Sequence, residues 1–231
     1  MTLYGVELVV ADDPGQAASI LADTLVEAAL AGHAIALTGG HSPGRAYQLA
    51  AEREPDWSKA SLWWGDDRCV PPDDERSNYR LAKTALLDKL AGQPREAHRI
   101  RGELQPADAA GELDKALEGV ELDLLLLGLG PDGHTASLFP GTPQLQVEDR
   151  RAVSGPAGLE PFVDRVTMTL PELRSARRII FLVTGAEKAD AVARALGADI
   201  TSDVPASLVR LAPVRVEAFL DAPAASKLGA G

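Results

Sequence analysis

The chain has 231 residues, 45% apolar and 25% charged, with a net charge of −11. That length suits one large α/β domain or two small ones, with a core that needs no staples, and the negative balance excludes general affinity for nucleic acid without excluding a local cationic cluster that grips a small anion. The lone cysteine, Cys69, excludes an intramolecular disulfide and suits a reducing compartment, and the absence of a leader pattern or of an apolar run near the roughly 18 residues of a membrane helix points to a soluble cytoplasmic protein that contacts no membrane.

Val6 to Val10 predict a first strand, ended by Asp12, Asp13 and Pro14. Residues 15 to 31 carry Leu21, Leu25 and Ala28 at helical spacing, with Gly32 as the stop. His33 to Thr38 read as a short inner strand, His33 being structural. Gly39 to Pro43 then lead into a helix beginning RAYQLAAE. Strand, glycine pair, hydroxyl residue and helix is an arrangement that holds phosphate through backbone N–H groups, with Ser42 as an added donor. It equally describes a tight turn capped by Ser42, and it is no Walker A loop, since the lysine and full spacing are missing. His41 reads as a solvated loop residue.

Ala60 to Trp64 predict a third strand ending in Gly65-Asp66-Asp67-Arg68. This charged triplet is either a solvated loop or a second wall of a site, and Arg68 offers a fork of donors for carboxylate, phosphate or an oxyanion. Ser77 reads as the cap of a helix from Asn78 to about Leu90. Asp73, Asp74 and Glu75 resemble a Mg²⁺ site on paper, but consecutive acids in a loop are usually solvated, and no metal is expected. Cys69 reads as a small hydrophobe rather than a nucleophile. Residues 91 to 105 form a polar connection, and 106 to 119 a helix.

Leu124 to Gly141, LLLLGLGPDGHTASLFPG, is the centre of the reading. Four leucines without a polar break predict a strand buried on both faces, as in a parallel sheet. Gly128, Gly130 and Gly133 let the backbone turn tightly and come close to a ligand. Asp132 and His134 then fall at the carboxyl end of a strand, where open parallel sheets bind ligands. Imidazole titrates nearest neutrality, so His134 suits proton transfer; Asp132 reads either as part of that chemistry or as a helix cap.

After Gly141 a loop runs to Arg151, and Arg151 to Ser154 suggest a short strand. Arg165 to Leu170 alternate like a strand with one exposed face. Pro171 opens a short helix, and Ile179 to Val183 form another doubly buried strand, ending at Thr184-Gly185 before the helix AEKADAVARAL. Lys188 falls in the first turn of that helix, the end that cations normally avoid. It is either solvated or placed to meet an anion. Pro205 to Leu208 suggest a turn of helix, Val214 to Leu220 a last strand, and the tail DAPAASKLGAG is expected to fray. With no repeat and no low-complexity linker, a single domain over residues 1–231 is the simpler organisation.

Five blocks, LTGGHSP, WWGDDRCVPPDDERSNYR, GLGPDGHTASLFPG, RVTMTLP and TGAEKADAV, resemble in order those of the 6-phosphogluconolactonase family across nearly the whole chain. The resemblance implies a Rossmann-like α/β layered fold with a mostly parallel central sheet flanked by helices, as in glucosamine-6-phosphate deaminase. It departs from the family in one place: Asp66-Asp67-Arg68 stands where Asp-Glu-Arg is common. Relatives that deaminate amino-sugar phosphates carry an essential Glu five residues after the His; here that position is Phe139.

The likeness implies hydrolysis of 6-phospho-D-glucono-1,5-lactone to 6-phosphogluconate, without metal or organic cofactor. His134 would activate water, Asp132 orient the imidazole or bind a sugar hydroxyl, and Arg68 stabilise charge on the carbonyl oxygen. Gly39, Gly40, Ser42, Arg165 and Lys188 would grip the 6-phosphate, with Asp66 among the substrate contacts. The partner implied is a small sugar-phosphate lactone, and the protein a monomer or weak homo-oligomer. An amino-sugar-phosphate isomerase or deaminase and a non-catalytic sugar-phosphate sensor are the alternatives; Phe139 speaks against the first, and the lack of a visible partner or DNA-binding segment against the second.

Overall fold

A computed structural model describes residues 1–40 and 42–229, so the expectation for His41 lies outside the described residues. The chain opens with a hairpin that its sequence did not announce. β1 (Thr2–Leu3) turns through Tyr4 and Gly5, both at positive φ, into β2 (Val6–Ala11), the backbone that a two-residue hairpin loop requires. In α1 (Pro14–Leu30), Asp13 accepts the Gln16 N–H at 2.9 Å and Pro14 occupies the first turn, both favoured ways to begin a helix.

There follow β3 (Ala34–Leu37), α2 (Pro43–Arg53), β4 (Ser61–Trp64), β5 (Asp66–Arg68), α3 (Asn78–Ala85), β6 (Glu96–His98), α4 (Pro106–Ala116), β7 (Leu124–Leu127), β8 (Ala152–Gly155), β9 (Arg165–Met168), α5 (Leu170–Ser175), β10 (Arg178–Val183), α6 (Ala189–Leu196), α7 (Pro205–Val209), β11 (Arg215–Asp221) and α8 (Ala222–Ala225).

Eight strands form one sheet in the order β1-β2-β11-β10-β7-β3-β4-β6, parallel except for the β1–β2 pair, and flanked by helices. β7 lies at its centre with all four leucines buried, as expected of a doubly covered parallel strand; each such leucine contributes about 1.5–3 kcal/mol. β3 and β7 are neighbours. From β3 the chain moves outward to β4 and β6, and from β7 it moves the other way, to β10 and β11. The sheet therefore has its switch point between them, and the loops leaving their carboxyl ends splay apart to leave a crevice.

A second, three-stranded antiparallel sheet, β5-β9-β8, decides one open reading in favour of a wall of the site and corrects one expectation. Gly65 to Arg68 is not a solvated loop: Asp66 and Asp67 are buried in β5. Nor has β9 an exposed face; all four of its residues are buried, Arg165 included. Alternation of polar and apolar residues read as wet-and-dry, whereas here Arg165 faces a cavity and Thr167 is buried, accepting the Ser137 N–H.

Smaller corrections have local causes. The helix expected to reach Leu90 ends at Ala85 and continues as a 3₁₀ turn at Leu87–Lys89. The polar connection after it contains edge strand β6, whose His98 ring stacks on Trp63 at 3.9 Å between centroids; charged, short edge strands carry little apolar signal. The tail does not fray at once, because Asp221 is fully buried, accepts the Ala224 N–H at 2.8 Å and starts α8.

Candidate active site

A cavity of about 720 Å³ opens at the switch point. The parallel sheet supplies Gly39, Gly40 and Ser42 after β3, His134 after β7 and Lys188 after β10; the small sheet supplies Asp66, Arg68 and Arg165. Eight of the nine residues singled out from sequence thus share one cavity, and the ninth, Asp132, is bonded to His134 just behind it.

The turn after β7 builds the imidazole site. Asp132 Oδ1 lies 2.6 Å from His134 Nδ1 and also accepts the His134 backbone N–H at 3.1 Å. Burial raises the Asp132 pKa, but the hydrogen bond and charge of His134 outweigh it, and the net shift is downward. Asp132 is therefore ionised at neutral pH and is acceptor-only, which assigns the proton of a neutral ring to Nδ1 and the lone pair to Nε2. Phe139, buried, covers the ring with centroids 4.4 Å apart. Gly130 has a role beyond ligand approach: a Cβ there would overlap Nδ1 and Cε1 of His134. Gly130 is the residue whose missing side chain lets the imidazole lie back over the turn.

Positive charge comes from two sides. Arg68 and Arg165 are register partners across β5 and β9. Arg165 Nη2 donates to Pro161 O at 3.0 Å, and Arg68 donates to Arg76 O, yet the Nε–H of each is buried without a partner. Burial, and then the charge of Arg68, push the Arg165 pKa down. Two adjacent guanidinium groups with unmet donors favour an anion between them and the cavity. Lys188 is not in the first α-turn but in the 3₁₀ turn Ala186–Lys188 that precedes α6. Its Nζ donates to Leu129 O at 2.8 Å, tying it to the His134 turn, and desolvation lowers its pKa.

Ser42 does not cap α2. It has helical backbone angles, and its hydroxyl lies 2.8 Å from that of Thr184, linking the loop after β3 to the loop after β10. Asp67 faces away from the cavity into the start of α3, where Oδ1 accepts the N–H groups of Arg68 (2.7 Å) and Asn78 (2.6 Å) and Oδ2 accepts Ser77 Oγ and the Tyr79 N–H (both 3.0 Å). Burial raises its pKa to about 6 against those bonds. The shortened carboxylate is a clamp between β5 and α3. Asp73 and Glu75 are exposed and Asp74 is held by Arg76, as read for solvated acids. Cys69 is half-buried, and desolvation pushes its thiol up to about 11, the opposite of an activated nucleophile.

Sequence reasoning missed four contributors. Asn78 approaches Gly39 so closely that a Cβ on the glycine would overlap Oδ1 and Cγ of the amide. Arg45 lines the cavity from the first turns of α2, Ser137 from the turn after His134, and Pro161 from the β8–β9 connection. Arg45 was open to detection, as a cation just inside a helix that follows a glycine loop; the others depend on pairings between distant segments.

Fold and site together define an α/β protein with an imidazole–carboxylate pair facing a cationic cavity at a parallel-sheet switch point. The sequence model of the family described as glucosamine-6-phosphate isomerases/6-phosphogluconolactonase matches residues 12–217. A curated 6-phosphogluconolactonase of Streptomyces coelicolor is 35% identical over 214 residues, covering 84% of this chain and 81% of its own. Among solved structures, a 6-phosphogluconolactonase from Trypanosoma brucei superposes with a TM-score of 0.87 at 27% identity, over 97% of this chain and 99% of its own. A monomeric glucosamine-6-phosphate deaminase, 19% identical, shares the fold with a TM-score of 0.85 over 96% of this chain and 100% of its own. The chain belongs to the glucosamine-6-phosphate isomerase/6-phosphogluconolactonase family.

Proposed function

We propose that the chain is a 6-phosphogluconolactonase, a single-domain hydrolase that opens 6-phospho-D-glucono-1,5-lactone to 6-phosphogluconate in the oxidative pentose phosphate pathway. The observation that carries this reading is the Asp132–His134 pair, with Nε2 left basic, sharing one cavity with Arg68, Arg165 and Lys188. In the proposed step, Nε2 takes a proton from water as its oxygen bonds to the lactone carbonyl carbon. A positioned base of this kind contributes about 10²–10⁴-fold. Arg68 stabilises the tetrahedral oxyanion, an effect of roughly 10²–10³-fold per donor. Collapse breaks the bond to the ring oxygen, which takes the proton back from the imidazolium, and the new carboxylic acid ionises.

Gly39, Gly40, Ser42, Arg165 and Lys188 hold the 6-phosphate in this proposal. No step requires a metal or an organic cofactor, and every group used comes from one chain, so a monomer or weak homo-oligomer suffices. The lone cysteine suits a cytoplasmic location; among the described residues no helix is long and apolar enough to cross a membrane. A deaminase is disfavoured because the position five residues after His134, where deaminating relatives carry an essential Glu, is the buried Phe139.

The test is to follow loss of freshly generated lactone with and without the protein, corrected for spontaneous opening. Protein-dependent opening with a clear preference for the 6-phosphorylated lactone is expected. Binding of 6-phosphogluconate without turnover would favour a sensor, and ammonia release from glucosamine-6-phosphate would favour a deaminase.

A further inference from the structure

Asp66, expected to contact substrate, lines the cavity, and each of its carboxylate oxygens also accepts a hydrogen bond from the protein. Oδ2 accepts Ser137 Oγ at 2.6 Å, and Oδ1 accepts Asn78 Nδ2 at 3.2 Å, while the Asp66 carbonyl takes the same amide at 2.9 Å. Asp66 and Ser137 are 7% and 4% exposed and 71 positions apart in the chain. A short bond from a hydroxyl to a buried carboxylate is among the stronger hydrogen bonds available to a protein.

Ser137 sits three residues after His134. Between them, Ala136 has φ +47, one of two non-glycine residues at positive φ among those described. A side chain in that region is strained and persists only where its surroundings hold it. On one side the turn is bound to the end of β7, through Thr135 Oγ1 to Gly128 O (2.9 Å) and Gly130 N to His134 O (2.9 Å). On the other side Ser137 reaches two strands of the small sheet: its hydroxyl bonds to Asp66 of β5 and its N–H to Thr167 Oγ1 of β9, at 3.2 Å. Those strands carry Arg68 and Arg165.

We infer that the Asp66–Ser137 bond is the tether that fixes the spacing between the imidazole and the arginine pair. In this reading Asp66 and Ser137, both at the cavity wall, act as positioning residues for the hydrolysis. The inference rests on the lactonase reading for its kinetic consequence and on geometry for the rest.

The test compares Ser137→Ala, Asp66→Ala and Asp66→Asn in the full chain. In Ser137→Ala and Asp66→Ala, kcat for lactone opening should fall about 10- to 100-fold, the loss expected of a misplaced catalytic group, while KM stays within about threefold because alignment and not ground-state binding is lost. Asp66→Asn can still bond both Asn78 and Ser137 and should recover most of the loss seen in Asp66→Ala. The second readout is the ring NMR signal of His134, assigned among the four histidines by its loss in His134→Ala. It should shift or broaden in Ser137→Ala and return close to its original position in Asp66→Asn. Wild-type kcat together with an unmoved ring signal in Ser137→Ala would overturn the tether. A wild-type chain that opens no lactone would overturn the functional reading, and the ring signal would still decide the tether. Should Ser137→Ala not fold, Ser137→Cys, a weak donor of similar size, takes its place with the same expected split.

Discussion

The two sheets contribute to one cavity by opposite means. The parallel sheet is apolar throughout its centre and delivers chemistry only where its strands stop, at Gly39, His134 and Lys188. The antiparallel sheet carries charge within its strands: Asp66, Asp67 and Arg68 on β5, and Arg165 on β9. A parallel sheet covered on both faces has no room for charge except at its ends. A small sheet with one side turned to a cavity can bury carboxylates that find partners, and here those partners hold the two halves of the site together. In the proposed mechanism a division of labour follows: the large sheet provides the base, and the small one the field in which the base works.

Removing the base should produce the largest effect. His134→Ala is expected to lower kcat by about 10²–10⁴-fold while 6-phosphogluconate still binds, as titration calorimetry would register; unchanged turnover would move the base elsewhere in the cavity. Gly130→Ala tests the same side without replacing the imidazole. The added methyl overlaps the ring and must displace it, and a displacement near 1 Å costs up to about 10²-fold. The expected signature is a fall in kcat with 6-phosphogluconate affinity retained. A variant as active as the parent would show that the ring has another resting place.

Effects from the cationic wall should be smaller and appear in KM. Arg165→Met and Lys188→Met are each expected to raise KM for the phosphorylated lactone roughly tenfold, about 1.4 kcal/mol, as for loss of one charged contact. Neither should alter the kinetics of the unphosphorylated lactone. An equal penalty on both substrates would detach the residue from the phosphate. Because Arg165 and Arg68 are register partners while Lys188 is tied to Leu129, a difference between the two variants would reveal which sheet carries the phosphate.

The same contrast explains what the sequence made legible. The runs LLLL and IIFLV announced doubly buried strands, and the glycines after them announced turns, because apolar runs and glycine punctuation are local signals. Asp132, His134 and Lys188 were found through their position after such runs. The small sheet was read only in part. In RVTM, Arg165 faces the cavity while Thr167 is bonded to Ser137, and in DDR the carboxylates are hydrogen-bonded by distant residues, Asp67 by the Asn78 N–H and Asp66 by the Ser137 hydroxyl. No local pattern records a bond between positions 66 and 137. The roles of Asp66, Asn78 and Gly130 therefore emerged only when the chain was folded, although their residue types had been visible throughout.

The smallest expected effect concerns a buried carboxylate beside the small sheet that lacks such partners. Glu172, in α5 just after β9, has a side chain 8% exposed, an Oε1 with no hydrogen-bond partner, and Arg151 at 3.8 Å from Oε2. Burial pushes its pKa to about 7, with Arg151 opposing and Asp114 adding to the rise. Because the folded state holds this proton more tightly than the unfolded chain, stability from this group is present at low pH. It declines as pH rises from the ordinary carboxylate range to about 7, and above that the ionised form is a constant cost. Glu172→Gln keeps the shape and removes the charge. Discounted for solvent screening at a partly buried group, a gain of about 1 kcal/mol at pH 8, or roughly 2–4 °C in melting temperature for a chain of this size, is expected, shrinking toward zero near pH 4. Activity should not change, since Glu172 does not line the cavity. Thermal melts at the two pH values decide the matter: equal shifts at both would mean that packing, and not the buried charge, sets the cost on this side of the molecule.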